Sequence, residues 1–535
     1  MRRINLARTV TLSGAVIAVA APSPAAKSVI PYIEVQQGVF ADLGGDGEVV
    51  TYTALAAGVD ASISTQRTQG TVSYRYERRF PWNDNTADQS IHTGLARGSL
   101  QLVPKTVTLD GGAIATRTRT DIRGSAPIFF AGDNNNVTQI YGGYVGPTLT
   151  TRVGPVDVGA SYRFGYVRAD SRQNLRLAPG QQLLDSFSDA TSHNLEGSVG
   201  MPNGRFPFGW TVTGGYTRED SGQLDQRFEG KYVRGELVVP VSRTLALTAG
   251  VGYEDLEASE RAPLRDAAGL PLIDRRGRYA TDEASPRLLS YDQEGLIYDA
   301  GVIWRPNRRT SLTARVGHRY GGTTVVGSLD WRMTRNSGLQ VSVYDGIDSF
   351  GRSLTRGLNA LPTNFVLQRN PLVDSVNGCV FGTAPGTGGC LDDAFQSLTT
   401  ANFRSRGVNA LYTLSYGPWS FGAGAGYNNR KYLAPVQGNL FSINGIRDES
   451  WQLQGNVTRV LSPRSNVNGA VYANWYKSGL ANAGTVSSLG ATASYLHTFG
   501  RRLSGQASAG VYTYDSADYD AQAAAQLLFG LRYQF

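Results

Sequence analysis

From Pro31 to Phe535 apolar and polar residues alternate with a period of two, broken by turn-forming pairs and polar stretches. Neighbouring side chains of an extended strand point to opposite faces, so this period predicts strands with one apolar face and one polar face. The stretch Ala521–Phe535 shows the pattern well. Ala521, Ala523, Ala525, Leu527, Phe529, Leu531, Tyr533 and Phe535 share one face, while Gln522, Ala524, Gln526, Leu528, Gly530, Arg532 and Gln534 share the other. In Val156–Arg168, Val156, Val158, Ala160, Tyr162, Phe164 and Tyr166 oppose Asp157, Gly159, Ser161, Arg163 and Gly165. No segment sustains a period of 3.6, so no substantial helix is expected outside residues 1–25.

The predicted strands number twenty-two, from Tyr32–Asp42 and Val49–Ile63 to Leu503–Tyr514 and Ala521–Phe535, with His193–Met201 and Trp210–Glu219 the least regular pair. Their connections alternate in length. Val103-Pro-Lys105, Gly154-Pro155, Val241-Ser-Arg243, Gly417-Pro418, Ser462-Pro-Arg464 and Gly500-Arg-Arg502 are short; Pro81–Ser90, Arg119–Asn136, Ala169–Ser192, Asp255–Glu294 and Ile347–Ser405 are long and polar. Short turns on one side and long loops on the other are what an outer-membrane barrel shows. A run of soluble β-sandwiches would carry turn signals on both edges and linkers between domains. The expectation is an all-β, transmembrane, antiparallel up-and-down barrel of about 22 strands (range about 18–24) with long extracellular loops. Tyr and Trp near strand ends (Tyr74, Tyr76, Trp304, Tyr320, Trp331, Trp419, Tyr427, Trp475, Tyr533) suit interfacial girdles.

Composition agrees with this address. Mean hydropathy is −0.25, as expected when only alternate residues meet lipid, and no run approaches the ~20 apolar residues of a membrane helix. Arg2, Arg3 and Arg8, the apolar run Val10–Ala21 and Ser23-Pro-Ala25 read as a signal peptide, residues 1–25, ahead of one barrel domain, 26–535. Cleavage there leaves 48 basic against 43 acidic residues, too even and too dispersed for nucleic acid. Cys379 and Cys390 bracket a Pro-Gly turn in an exported loop, which favours a disulfide over a metal site.

The last strand, ending Leu531-Arg-Tyr533-Gln-Phe535, resembles the closing strand of bacterial outer-membrane barrels, where that ending serves as an assembly signal. Gly301-Val-Ile-Trp-Arg-Pro-Asn-Arg-Arg-Thr-Ser-Leu-Thr-Ala-Arg-Val-Gly-His-Arg-Tyr-Gly321, Tyr74-Arg-Tyr-Glu77, Leu102–Asp110 and Pro31-Tyr-Ile-Glu-Val35 are similar to motifs of a further family. That family comprises outer-membrane barrels associated with PEP-CTERM protein sorting and exopolysaccharide gene clusters. The resemblance implies a Gram-negative outer-membrane location and a role in export or surface assembly of polysaccharide or sorted proteins. It implies contact with membrane lipid and the barrel assembly machinery, and polysaccharide as a candidate partner. It brings no catalytic residues.

Candidate chemistry is sparse. His318 and His497 fall on apolar faces near strand ends, where an amphipathic ring fits the lipid interface better than a catalytic role. Gly422-Ala-Gly-Ala-Gly426 has no helix start after it and is no phosphate loop. No enzyme activity, cofactor or metal is expected. Inward positions carry Arg75, Arg163, Arg234, Arg315, Arg332 and Arg532 against a similar number of carboxylates, a wall without strong ion preference. With the first strand close behind the signal, any plug must come from a loop. Ile347–Ser405 is the candidate, since Phe350, Phe365, Phe381, Phe395 and the cysteine pair favour packing in the lumen over dangling outside. Three readings result: polymer-linked export or assembly, a general diffusion porin, and a structural or adhesive barrel with a blocked lumen.

Overall fold

The computed structural model describes residues 26–535 except 45–48, 83–87, 120–136, 171–186, 268, 275–277, 368–371, 373–375, 377, 392–393, 397, 437–441, 481–483 and 517–518. The expected signal peptide lies outside the described residues.

Twenty-two strands form one antiparallel sheet, each paired with the next in chain order. The strand Tyr519–Gln534 pairs back onto Ala26–Asp42, with Ile33 opposite Tyr533, Val35 opposite Leu531 and Val39 opposite Leu527, so the sheet closes into a barrel. Each predicted strand matches one wall strand. The observed strands run longer at one end, up to the twenty residues of Leu288–Asn307. About 9–11 residues suffice to cross a membrane, so the wall stands well clear of the hydrocarbon.

Alternation sets the two faces. Ile33, Val35 and Leu55 point outward and are about half exposed, while Glu34, Gln36, Ala54 and Ala56 are buried inside. Leu527, Phe529, Leu531 and Phe535 lie on the outside of the closing strand, and Ala524, Gln526 and Leu528 on the inside. One rim carries short connections; at two of them Gly154 and Gly417 adopt positive φ (+58° and +55°), which only glycine takes without strain. The opposite rim carries the long connections, with some short ones among them. Thr310–Arg319 and Gly322–Trp331 are joined there by Tyr320-Gly321, both at positive φ, the two-residue turn whose twist matches a hairpin.

The largest departure from the barrel is the stretch 349–401, called the insert below. It leaves the wall at the end of Ser337–Asp348 and rejoins it at the start of Asn402–Tyr416. Those two strands pair directly, Asp348 opposite Phe403, so the insert hangs from two adjacent points on the rim. It contains helix α1, Phe350–Ala360, and a small three-stranded sheet of Phe365–Val366, Cys379–Gly382 and Gly388–Cys390. The expectation of no helix is corrected here. Ser349 caps α1 by accepting from the Arg352 amide (3.1 Å), Phe350, Leu354 and Leu358 form an apolar stripe, and Pro362 follows its end. Gly351 and Gly357 lower helix propensity and hide this three-turn pattern.

Tyr320 is a second correction. It sits in the rim turn, with the Arg319 and Arg404 guanidiniums over its ring at 4.7 and 5.5 Å, and does not join the lipid girdle. Burial pushes its phenol up from the ordinary value; Arg319 opposes this and Glu254 adds to it.

Phe535 is exposed on the lipid side and donates its backbone N–H to the Pro31 carbonyl (3.1 Å), at the closing seam. A charge near the interface costs only about 0–1 kcal/mol, so changing this residue should act on assembly more than on stability. Phe535→Asp should lower the heat-modifiable folded species in the outer membrane severalfold, while the fraction that assembles unfolds at an unchanged denaturant concentration. An unchanged folded yield would show that the residue is dispensable for closure.

Candidate functional site

The site is the bore, and the insert occupies it. Helix α1 packs on the inner faces of the strands Val107–Arg119, Val137–Val153, Val156–Asp170 and Asp189–Met201. Its Phe350, Leu354 and Leu358 are buried with wall residues Leu95, Ile114, Ile140 and Val167. Further along, Leu372 is buried among Phe40, Tyr52, Tyr512 and Leu528, on strands at the seam. The hairpin closed by the Cys379–Cys390 disulfide lies against Leu411 on a third part of the wall. The insert therefore touches the ring on several sides and crosses it.

Glycines in the wall make room for these contacts. A Cβ on Gly142 would meet Leu354 at 2.9 Å, one on Gly165 would meet Thr355 at 2.9 Å, and one on Gly510 would meet Leu372 at 2.5 Å. Gly338 faces the Pro385-Gly386 turn equally closely. Gly422 and Gly424 sit under Phe381 and the Cys379 sulfur, so the inward positions of Gly422-Ala-Gly-Ala-Gly426 form a groove for the disulfide hairpin. The sequence signal was available: glycine at alternate positions strips one face of a strand and lets another chain approach.

Hydrogen bonds hold the insert at both ends. Arg97, buried in the wall, donates from Nε to the Leu361 carbonyl (3.0 Å) and from Nη2 to the Asn359 carbonyl (3.1 Å). A cation on the last carbonyls of a helix meets the negative end of its dipole. Glu219 lies at the other end of α1, where Arg352 donates to it (3.4 Å) and to Asn402 (2.9 Å) and stacks over Phe228 (3.7 Å). The Cys379 amide donates to the Gln454 side-chain oxygen (2.9 Å), and the Gln454 amide returns a bond to the Cys379 carbonyl (3.1 Å). Val376 and Gly386 amides donate to Thr116 and Thr413 (2.8 and 2.7 Å). Arg97 and Glu219 escaped sequence reasoning. The signal was Ile91, Leu95, Ile114 and Ile140 on the inward face, apolar groups that a water-filled bore would not explain.

Five of the six arginines expected inside are there, each beside a carboxylate. Arg75 meets Glu34 (3.4 Å) and Glu77 (2.5 Å); Arg163 meets Asp110 (3.4 Å); Arg532 meets Asp60 (2.6 Å) and lies 3.5 Å over the Tyr32 ring. Arg234 forks onto Asp299 (2.9 and 2.8 Å) and reaches Glu236 (2.7 Å), which also holds Arg315 (2.8 Å). Arg332 is a correction. Its strand ends at Trp331, which leaves the side chain exposed in the short-rim turn. These charges serve as cross-strand pairs.

Beneath the insert lies a cavity of about 960 Å³. Val376, Phe381 and Phe395 of the insert contribute to its lining, and Ser462, Arg464, Thr498, Ser504 and Gln534 place its mouth at the short-turn rim.

No family model and no curated protein matches the chain. Solved structures similar to it include the FrpB iron transporter from Neisseria meningitidis (9% identity, TM-score 0.45, 95% of this chain and 82% of that one). Two others are the alcaligin outer-membrane receptor FauA from Bordetella pertussis (12%, 0.38, 94% and 76%) and the ferric-catecholate import receptor Fiu from E. coli K12 in its open form (8%, 0.44, 94% and 81%). The likeness is one of fold, and this barrel is an outer-membrane barrel in contact with membrane lipid. The expectation of exopolysaccharide export or surface assembly is corrected by the lumen itself: the insert packs against several sides of the wall and crosses the bore where a polymer would have to thread. A general diffusion porin would need the open bore that the insert obstructs.

Two substitutions test the seating. Gly424→Val places a branched side chain where the Cys379 sulfur sits, and Arg97→Leu removes the clamp on the end of α1, where hydrogen bonds to a charged group are each worth roughly 1.5–3 kcal/mol. Both variants should keep the heat-modifiable barrel and raise single-channel conductance at least twofold. Unchanged conductance in both would show that these seats do not hold the insert.

Proposed function

We propose that the chain is a non-enzymatic outer-membrane uptake protein, admitting a small solute from the medium to the periplasm past the insert 349–401. The observation that carries this reading is the insert itself. It crosses the bore, is joined to several wall strands, and leaves a cavity of solute size on the short-turn side. Twenty-two strands make a barrel too wide to discriminate among solutes by diameter, and outer-membrane transporters of that size carry a plug in the lumen. Here a stretch between two neighbouring strands provides the obstruction. The disulfide within it closes a short loop, worth about 3 kcal/mol of local stability by chain entropy, which keeps the hairpin compact in its groove. In this reading the long-loop rim faces the medium and the short turns face the periplasm.

Membership of the PEP-CTERM-associated barrel family and assembly by the barrel assembly machinery belong to the same proposal. Neighbouring genes test the first, and depletion of the machinery tests the second. Neither carries polymer export with it.

In a planar bilayer the intact protein should show small, intermittent conductance. Replacing Gly351–Thr400 by a two-glycine bridge should raise it severalfold, because Asp348 and Phe403 are already paired and the wall needs no repair. Cells carrying the bridged variant should also hydrolyse nitrocefin with periplasmic β-lactamase severalfold faster, which reads inward passage. High, steady conductance in the intact protein would overturn the role given to the insert.

A further inference from the structure

The two sides of the cavity under the insert differ in chemistry. Near the seam the lining includes Glu34, Asp60, Arg75 and Arg532, already combined in the pairs described above, and Arg119, whose guanidinium lies 4.6 Å over the Tyr514 ring. The facing wall is the run of four strands Arg447–Ser462, Ser465–Lys477, Thr485–Thr498 and Leu503–Ser516. Among the described residues these four strands present no charged side chain to the cavity. Their lining is amide and hydroxyl: Gln452, Asn456, Asn468, Asn474, Thr492 and Gln506 stand for the rest. Tyr472 adds an aromatic ring to that wall, and Phe381 and Phe395 bring two more from the insert.

We infer that this cavity binds a small, neutral, polyhydroxylated solute of the sugar class, as the inner waypoint of the uptake path. The inference rests on the uptake reading, and names its substrate class.

Such a solute has hydroxyls around its edge, each both donor and acceptor, and flat C–H faces. Amide side chains offer a donor and an acceptor on one rigid group, so they match hydroxyls without selecting a charge. Aromatic rings take the C–H faces. Among the described residues an ionic solute would find charges that mostly have partners already, Arg464 at the mouth excepted, and an apolar one would strip water from amides and return no hydrogen bond.

The amides are not all spent on one another. Gln36, 3% exposed and lining the cavity, donates its amide nitrogen to Glu34 (2.6 Å), while its Oε1 has no donor among the described residues. Asn456 Oδ1 and Asn474 Oδ1, on the uncharged wall, are in the same condition. Buried acceptors left without donors cost roughly 1–3 kcal/mol each, a cost that water or an incoming hydroxyl relieves. At about 960 Å³ the cavity suits a solute of two or three sugar rings, near the upper end of the roughly 300–1,000 Å³ found for small-molecule sites.

The test is isothermal titration calorimetry on the full-length protein in detergent, with maltotriose, raffinose and cellotriose as neutral probes and citrate as a charged probe. At least one oligosaccharide should bind saturably and citrate should not. The double variant Asn468→Leu, Gln506→Leu should bind that oligosaccharide at least tenfold more weakly while remaining heat-modifiable. Asn468→Gln, which keeps the amide, should recover part of the loss. The same oligosaccharide should reduce the current through the bridged variant, which retains this wall. Absence of binding by all three oligosaccharides would overturn the inference, as would equal binding of citrate or binding indifferent to the double variant. Conductance separates this outcome from failure of the uptake reading. If bridging the insert still raises conductance, the insert restricts passage and only the assigned substrate class is wrong; if it does not, the uptake reading fails on its own.

Discussion

Everything in this molecule depends on the seam where Tyr519–Gln534 pairs with Ala26–Asp42. In hydrocarbon an unpaired backbone N–H or C=O costs several kcal/mol, and water is not there to take its place. An open sheet of twenty-two strands would leave two bare edges, so closure is the condition for the remaining pairs to exist in a membrane. The same condition makes the wall stiff. Each strand is bonded on both sides, and widening the ring at any point breaks a row of backbone bonds. A device that changes what passes must therefore be something other than the wall.

The insert meets that requirement, because its attachment is of a different kind. It contributes no strand to the ring; it hangs from the paired ends Asp348 and Phe403 and is held by side-chain contacts and a few hydrogen bonds. The glycines of the wall give these contacts their reach. Gly142, Gly165, Gly422, Gly424 and Gly510 let insert side chains come closer than a Cβ would allow, on parts of the ring far apart in sequence. Glycine in a strand interior sacrifices packing and conformational entropy, and the insert recovers the packing by filling the space. Helix α1 adds an electrostatic fit, with Glu219 at its N-terminal end and Arg97 at its C-terminal carbonyls.

The barrel was legible in the sequence because period-two alternation is a local property that lipid enforces on every strand. The predicted strands therefore match the wall one for one, including the irregular pair His193–Met201 and Trp210–Glu219. Helix α1 was not legible, since Gly351 and Gly357 weaken its propensity and only a bore to pack against makes its stripe worth burying. Gly422-Ala-Gly-Ala-Gly426 is unsuited to phosphate, and its meaning lies in a hairpin some forty residues earlier. Only parity puts Arg332 on the inner face, and parity ceases to apply where the strand ends at Trp331. Tyr320 stands near a strand end as a girdle residue does, but the positive φ of the turn points it at Arg319 and Arg404.

Counting charges also concealed the most informative asymmetry of the lumen. Arginines and carboxylates are conspicuous in a sequence, and here several prove to be occupied with each other, Arg234 with Asp299 and Glu236, Arg532 with Asp60. In a partly desolvated wall such pairs are held by short, charge-assisted bonds, so an ionic solute would have to break them to gain contact. Amides and hydroxyls on the other side are exchangeable with water one bond at a time, each net bond being worth only about 1 kcal/mol. A path lined this way can hold a solute by several weak bonds and release it by losing them in succession. On the uptake reading proposed above, transport requires that balance, and the amides and hydroxyls that the strands between Arg447 and Ser516 turn to the cavity supply it.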